Sequence, residues 1–132
     1  MANISVTLTQ QDATASMATI RNPQVVMDRP ETKGGNNLGP RGGEMFLASL
    51  GGCFMSNMRA AIAARNDIEV KQISLAVTAT VSNHPDRFSA IDMQVTANAN
   101  HTELQKLVAI ADRSCIVANT LRSAVALTIS TK

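Results

Sequence analysis

The stretch that most limits what this chain can fold into is the apolar run from Gly39 to Ala64. It opens on Pro40, Gly42 and Gly43, followed by Glu44. That is helix-start chemistry, with the acid near the positive end of the helix dipole. The remainder of the run is mostly Ala, Leu and Met, all good helix formers. From Phe46 to Phe54 the run is apolar on nearly every face, which marks a buried helix. The spacing predicts a helix over 43–65, ending at Arg65 and Asn66, a basic residue and an Asn that suit a C-terminus. In its middle, directly behind Gly51 and Gly52, sits a single cysteine, Cys53. A thiol on a buried helix behind a glycine pair is the feature the rest of the chain must account for.

At 132 residues with 45% hydrophobic residues, the chain reads as one domain, 1–132, with a modest core. Three Phe, no Trp and no Tyr leave that core to Val, Ile, Leu, Ala and Met, and a second copy would help it bury more apolar surface. The formal charge of +2 is interspersed along the chain, with no basic block and no aromatics among the cations, so nucleic-acid binding has little support. The central helix carries too many polar residues for a membrane span. The N-terminus alternates like a strand rather than a signal peptide, so the cytoplasm is the expected compartment.

Residues 3–9 alternate polar and apolar and predict a strand; 13–21 and 24–28 predict two more, making a meander. Residues 29–43 are dense in Gly, Pro and Asn and read as a long loop, of a length that usually carries function or mobility. After the central helix, 70–82 alternates as a long strand. Asn83 to Arg87 reads as a turn, and 88–97 returns as a second long strand with a bulge near 90. Thr102 to Ser114 carries a helical stripe through Leu104, Leu107, Val108, Ile110 and Ala111. Ile116 to Leu121 is a short turn or helix, and Val125 to Ser130 predicts a closing strand. Strands grouped rather than alternating with helices make the class α+β.

Cys53 and Cys115 are the only cysteines, and His84 and His101 the only histidines. Their spacing fits no zinc site, and in a reducing compartment a structural disulfide is not expected. The histidines read as turn and helix-start residues, and Met45, Met55 and Met58 as adaptable packing. The plain reading of the thiols is small core residues. The sharper reading makes Cys53 a nucleophile, which needs its thiol, with an ordinary pKa of about 8.5, ionised at neutral pH. Cys53 lies too deep in its helix for the dipole to act strongly, so a side-chain cation is expected, from Arg21, Arg29, Arg41 or Arg113. Glu44 precedes Cys53 by roughly two and a half turns and falls on the opposite face of an unbroken helix. It would face Cys53 only if Gly51 and Gly52 bend the helix, and otherwise would support a partner copy's site. Cys115, just past a helix end, is placed to act as a resolving thiol.

These residues resemble a known family, the OsmC/Ohr small thiol peroxidases. Asp28-Arg29-Pro30, Gly34-Gly35, Leu38-Gly39-Pro40 and Glu44 through Cys53 are similar to its first signature. Ala111 through Leu121, around Cys115, is similar to its second-cysteine segment. The element order also fits, so the resemblance covers essentially the whole chain. Two departures are Gly42, where the family has Pro two positions before the Glu, and Ser49-Leu50 before the glycines.

The resemblance implies an OsmC-like α+β fold and an intertwined homodimer, with buried central helices back to back between antiparallel sheets. It implies reduction of organic hydroperoxides, with Cys53 as peroxidatic nucleophile, Cys115 as resolving thiol and Glu44 as the carboxylate that orients an activating arginine. Arg21 is the first choice for that arginine and Arg29 the second. No cofactor is implied; a dithiol reductant, lipoyl-type in some members, reopens the disulfide. The alternative from the same fold is a non-catalytic dimeric module that binds a small apolar ligand. A plain redox sensor is a third reading.

Overall fold

The structure is a computed structural model and describes residues 2–132. These cluster into two compact units, one up to Phe46 and one from Leu47 onward.

The first unit is a three-stranded antiparallel meander: β1 (Thr7–Gln10), β2 (Ser16–Thr19) and β3 (Gln24–Met27). Thr7 pairs with Thr19, and Ser16 with Met27. The strands are shorter than the alternation predicts because their neighbours end. The Ile20 amide turns to the Pro23 carbonyl at 2.9 Å, so nothing in this sheet lies opposite residues 3–6. Arg21, expected at the end of β2, is instead in the β2–β3 turn with φ of 58°. The β1–β2 turn is held by Asp12, whose Oδ1 accepts the Thr14 and Ala15 amides at 2.9 and 2.8 Å.

Asp28 organises the long loop. Its carboxylate is buried and accepts the backbone amides of Arg29 (2.7 Å), Asn36 (3.1 Å) and Leu38 (3.3 Å). Its own amide donates to the Pro40 carbonyl at 3.1 Å. Burial pushes this carboxyl up, but the Arg29, Leu38 and Asn36 amides hold it below the ordinary value. Two glycines let the loop close. A Cβ at Gly35 would lie 2.1 Å from the Arg29 carbonyl oxygen, and one at Gly39 2.1 Å from that of Val26. Much of the first signature is therefore loop architecture.

Helix α1 (Gly42–Ala63) begins where Glu44 Oε1 accepts the Arg41 amide at 3.0 Å. It is continuous through Gly51 and Gly52, so the glycines do not break it.

In the second unit, β4 (Lys71–Ser82) and β5 (Arg87–Asn98) form a long antiparallel hairpin. Thr80 pairs with Ala90 but Val81 with Phe88, leaving Ser89 as the extra residue of a bulge. Helix α2 (His101–Ser114) is capped by Asn100, whose side chain accepts the Glu103 amide at 3.1 Å. Helix α3 (Ile116–Leu121) follows after one residue, Cys115. The core sits between these elements: Leu50, Phe54, Met58 and Ala61 from α1 meet Leu107, Ala111, Cys115 and Ala118. Ile73, Leu75 and Val77 of β4 and Ile91, Met93 and Val95 of β5 pack against that cluster. Gly51 brings α1 close to the sheet; a Cβ there would stand 3.3 Å from Val77 Cγ2.

The closing strand expected over Val125–Ser130 is absent, and the chain carries no regular structure after Ser123. Its alternating apolar residues Val125, Leu127 and Ile129 are exposed, Leu127 by 82% and Ile129 by 90%. A strand needs a hydrogen-bonding neighbour, and this segment pairs with none of the described strands. Among the described residues no helix is long and apolar enough to cross a membrane.

Candidate dithiol site

Two elements of the second unit bring the thiols together. Cys53 lies mid-way along α1 and is half-buried; Cys115 occupies the single residue between α2 and α3 and is 0% exposed. Both are free thiols; Cys53 packs against the buried cluster that contains Cys115, and each thiol acts on the other's acidity.

The α2–α3 junction is tightly tied. A helix end leaves its last carbonyls without partners, and three donors meet those of α2. The Cys115 amide reaches the Asp112 carbonyl at 3.3 Å, and Asn119 Nδ2 reaches that of Arg113 at 3.1 Å. Asn57 Nδ2, from α1, reaches that of Ser114 at 3.4 Å. The Asn119 amide also donates to the Cys115 carbonyl at 2.9 Å. The residue carrying the second thiol is thus held on both sides.

The two thiols differ in acidity. Burial pushes the Cys53 thiol up, but the Val117 amide, the Cys115 S–H and the Ile116 amide together bring it below its ordinary value. Burial pushes the Cys115 thiol up, and the neighbouring Cys53 sulfur adds to that shift. Of the two thiols, Cys53 is therefore the more readily ionised. The groups of this chain that lower the Cys53 thiol are neutral donors, two of them backbone amides. Backbone donors leave no trace in residue type, which is why the sequence did not reveal them. Asn57 was also missed. Asn57 lies one helical turn beyond the cysteine, but the sequence does not show that Ser114 comes beside it.

Of the other predicted site residues, Glu44, Arg21, Arg29 and Arg41 lie in the first unit, and Arg113 lies in the last turn of α2 in the second. Glu44 sits at the start of α1, its Oε1 also 3.8 Å from Arg41 Nε. Arg21 is exposed at the β2–β3 turn. Arg29 is exposed and lines a cavity of about 340 Å³ with Lys33, Arg41, Gly42 and Gly43. His84 is in the β4–β5 turn, His101 is the first residue of α2, and Met58 is core. Among the described residues, no three His, Cys, Asp or Glu side chains gather to hold a metal ion.

A meander, a long central helix, a long hairpin and a dithiol formed by that helix and a later helix junction define a class of small α+β dithiol proteins. The chain falls within a named family of that class. The family model described as OsmC-like protein matches residues 34–130, and the chain belongs to that family. No curated protein matches it. Solved structures do. The OsmC-like protein from Mycoplasma pneumoniae is similar with a TM-score of 0.80 at 18% identity, covering 92% of this chain and 88% of that one. An organic hydroperoxide resistance protein OsmC from Legionella pneumophila is similar with a TM-score of 0.61 at 20% identity, covering 92% of each chain. The organic hydroperoxide resistance protein OhrB of Bacillus subtilis is similar with a TM-score of 0.58 at 18% identity, covering 90% of this chain and 91% of that one. At these identities the likeness is one of fold.

Proposed function

We propose that this protein is a dithiol peroxidase for organic hydroperoxides, acting in oxidative-stress defence. The observation that carries the reading is the Cys53–Cys115 contact, with the more acidic thiol half-buried and the less acidic one fully buried. The Cys53 thiolate attacks the outer oxygen of ROOH. The O–O bond breaks, the alkoxide takes a proton and leaves as ROH, and Cys53 becomes a sulfenic acid. Cys115 then attacks the Cys53 sulfur, hydroxide leaves as water, and the two thiols become a disulfide. A dithiol reductant returns two electrons and two protons and is itself oxidised to a disulfide; lipoyl-type dithiols fit this step. No cofactor enters.

The reading extends to a homodimer, each copy one OsmC-like domain over 1–132. Unpaired alternating segments at both ends, with Ile4 and Val6 in one and Leu127 and Ile129 in the other, are exposed and would gain neighbours from a second copy. In that assembly Glu44 and an arginine, Arg21 or Arg29, would serve a thiol site by orienting and polarising the peroxide. The reducing cytoplasm suits a protein with two free thiols.

One observation favours a second reading, a module binding a small apolar ligand. A cavity of about 290 Å³ is lined by Leu50, Phe54, Ile91, Met93 and Val108, with Asp112 and Arg122 among its polar residues. That is near the lower end of small-molecule sites.

Intact mass after one equivalent of cumene hydroperoxide decides between them. The peroxidase loses two hydrogens quickly, Cys53→Ser does not, and Cys115→Ser gains one oxygen. Unchanged mass in the wild type, with apolar ligand retained by Cys53→Ser, would overturn the peroxidase in favour of the module.

A further inference from the structure

Asn57 makes contacts that neither packing nor helix formation requires. It sits one turn after Cys53 on α1, and its Nδ2 faces three acceptors: the Cys53 carbonyl at 3.1 Å, Cys53 Sγ at 3.8 Å and the Ser114 carbonyl at 3.4 Å. An amide NH2 has two hydrogens. With one directed at Ser114, the other is shared between the oxygen and the sulfur of Cys53. The Cys53 carbonyl lies mid-helix, where the backbone ladder already supplies a donor, so the helix does not need this bond. The sulfur does gain from it, because a thiolate is a far stronger acceptor than a thiol and charge-assisted bonds are the strong ones.

We propose that Asn57 is a third member of the dithiol site, donating to the Cys53 sulfur once it is ionised and tying it to Ser114, the residue before Cys115. This rests on the dithiol reading above. One side chain then has two consequences. The donor raises the thiolate fraction of Cys53, and the strut from α1 to the end of α2 keeps Cys115 within reach of the sulfur it must attack. The titratable group acting on Cys53 is Cys115; the remaining donors, the Ile116 and Val117 amides and Asn57, are neutral. The charged group nearest in effect, Arg122, is paired with Asp112 and acts on Cys115 rather than on Cys53, so variation at Asn57 is read at Cys53.

The decisive variants are Asn57→Ala, which removes the donor and keeps a good helix former, and Asn57→Asp, which keeps the shape but replaces the donor by an acceptor. Each is made in a Cys115→Ser background, where Cys53 is the one remaining thiol, and its thiolate absorbance near 240 nm is titrated against pH. Asn57→Ala is expected to raise the midpoint by about half to one pH unit. Asn57→Asp is expected to raise it at least as far, with a salt dependence the other variant lacks. Asn57→Gln, which keeps the amide on a longer arm, recovers part of the shift. With Cys115 restored, disulfide closure after one equivalent of hydroperoxide slows several-fold in Asn57→Ala. Midpoints within experimental error of the parent in both Ala and Asp variants would overturn the proposal, even if melting temperature fell, because that is what a helix tie alone predicts. The titration uses no peroxide. A shifted midpoint in a protein whose wild type ignores hydroperoxide would uphold the role of Asn57 and remove the peroxidase.

Discussion

Within the chain, hydrogen-bond donors lower the pKa of the Cys53 thiol. The Val117 and Ile116 amides and the Cys115 S–H outweigh the burial that opposes ionisation. The nucleophile in alkylation is the thiolate. A lowered folded-state pKa therefore moves the half-maximal rate of Cys53 alkylation to a lower pH than in the unfolded chain. Iodoacetamide labelling of the native protein across pH 5–10, followed by peptide mass, should show this. Cys115, raised and fully buried, should stay unlabelled until the protein is unfolded. Asp28 gives a residue-scale prediction of the opposite, acid-side kind. Its folded pKa is depressed, so its contribution to stability is present above the unfolded carboxylate value of about 3.9 and is lost as pH falls through the folded one. Asn at position 28 accepts fewer of the loop amides. Asp28→Asn should thus melt lower than wild type at pH 7, and the gap should narrow as pH drops below about 4. Thermal melts of both proteins at pH 3 and 7 check it.

Among the elements, α1 does the most, since it supplies one thiol and one face of the second unit's core. Phe54, 2% exposed, is among its most deeply packed side chains. Phe54→Ala should cost about 3–5 kcal/mol in urea unfolding. Gly51 lies where α1 approaches β4, and Gly51→Val, which would crowd Val77 and Leu75, should cost about 1–3 kcal/mol despite leaving glycine behind. Helices α1 and α2, the long hairpin and its bulge were legible in the sequence, because each carries a regular apolar period and a matching turn or cap. The ends of the N-terminal strands were not, because a ladder stops where its neighbour stops, and Thr19 decides that for Thr7. The predicted strand over Val125–Ser130 has the right pattern but no edge to join in one chain. For the site, two cysteines and two signature segments were enough to find the thiols. They were not enough to find what tunes them. Amides at 116 and 117 have no sequence signature, and Asn57 becomes visible only when Ser114 is placed beside it.

At the scale of the whole molecule, the exposed apolar alternation at 125–129 and at the N-terminus predicts self-association. Light scattering of the wild type should give twice the 14.0 kDa chain mass. Leu127→Glu with Ile129→Glu should shift that toward one chain, while leaving the second unit's helices folded by circular dichroism. Under the proposed peroxidase reading, the asymmetry of the two thiols also bears on the step that would reset the protein. If the proposed Cys53–Cys115 disulfide forms, Cys53, the less buried of the two, is the sulfur an incoming reductant would attack, and Cys115 would have to depart. A thiol whose pKa is raised is a reluctant leaving group. The bond would also span a loop on the order of 60 residues, a cross-link that chain entropy favours in the folded state by roughly 4 kcal/mol. A monothiol that attaches to Cys53 is readily expelled by Cys115, which is held in place and closes the bond again. A reductant carrying its own second thiol escapes that reversal. Recovery from oxidation, rather than the attack on peroxide, would then set the pace of turnover. Dihydrolipoamide should restore two free thiols at concentrations where glutathione leaves the protein oxidised, as thiol counting on the recovered protein would show.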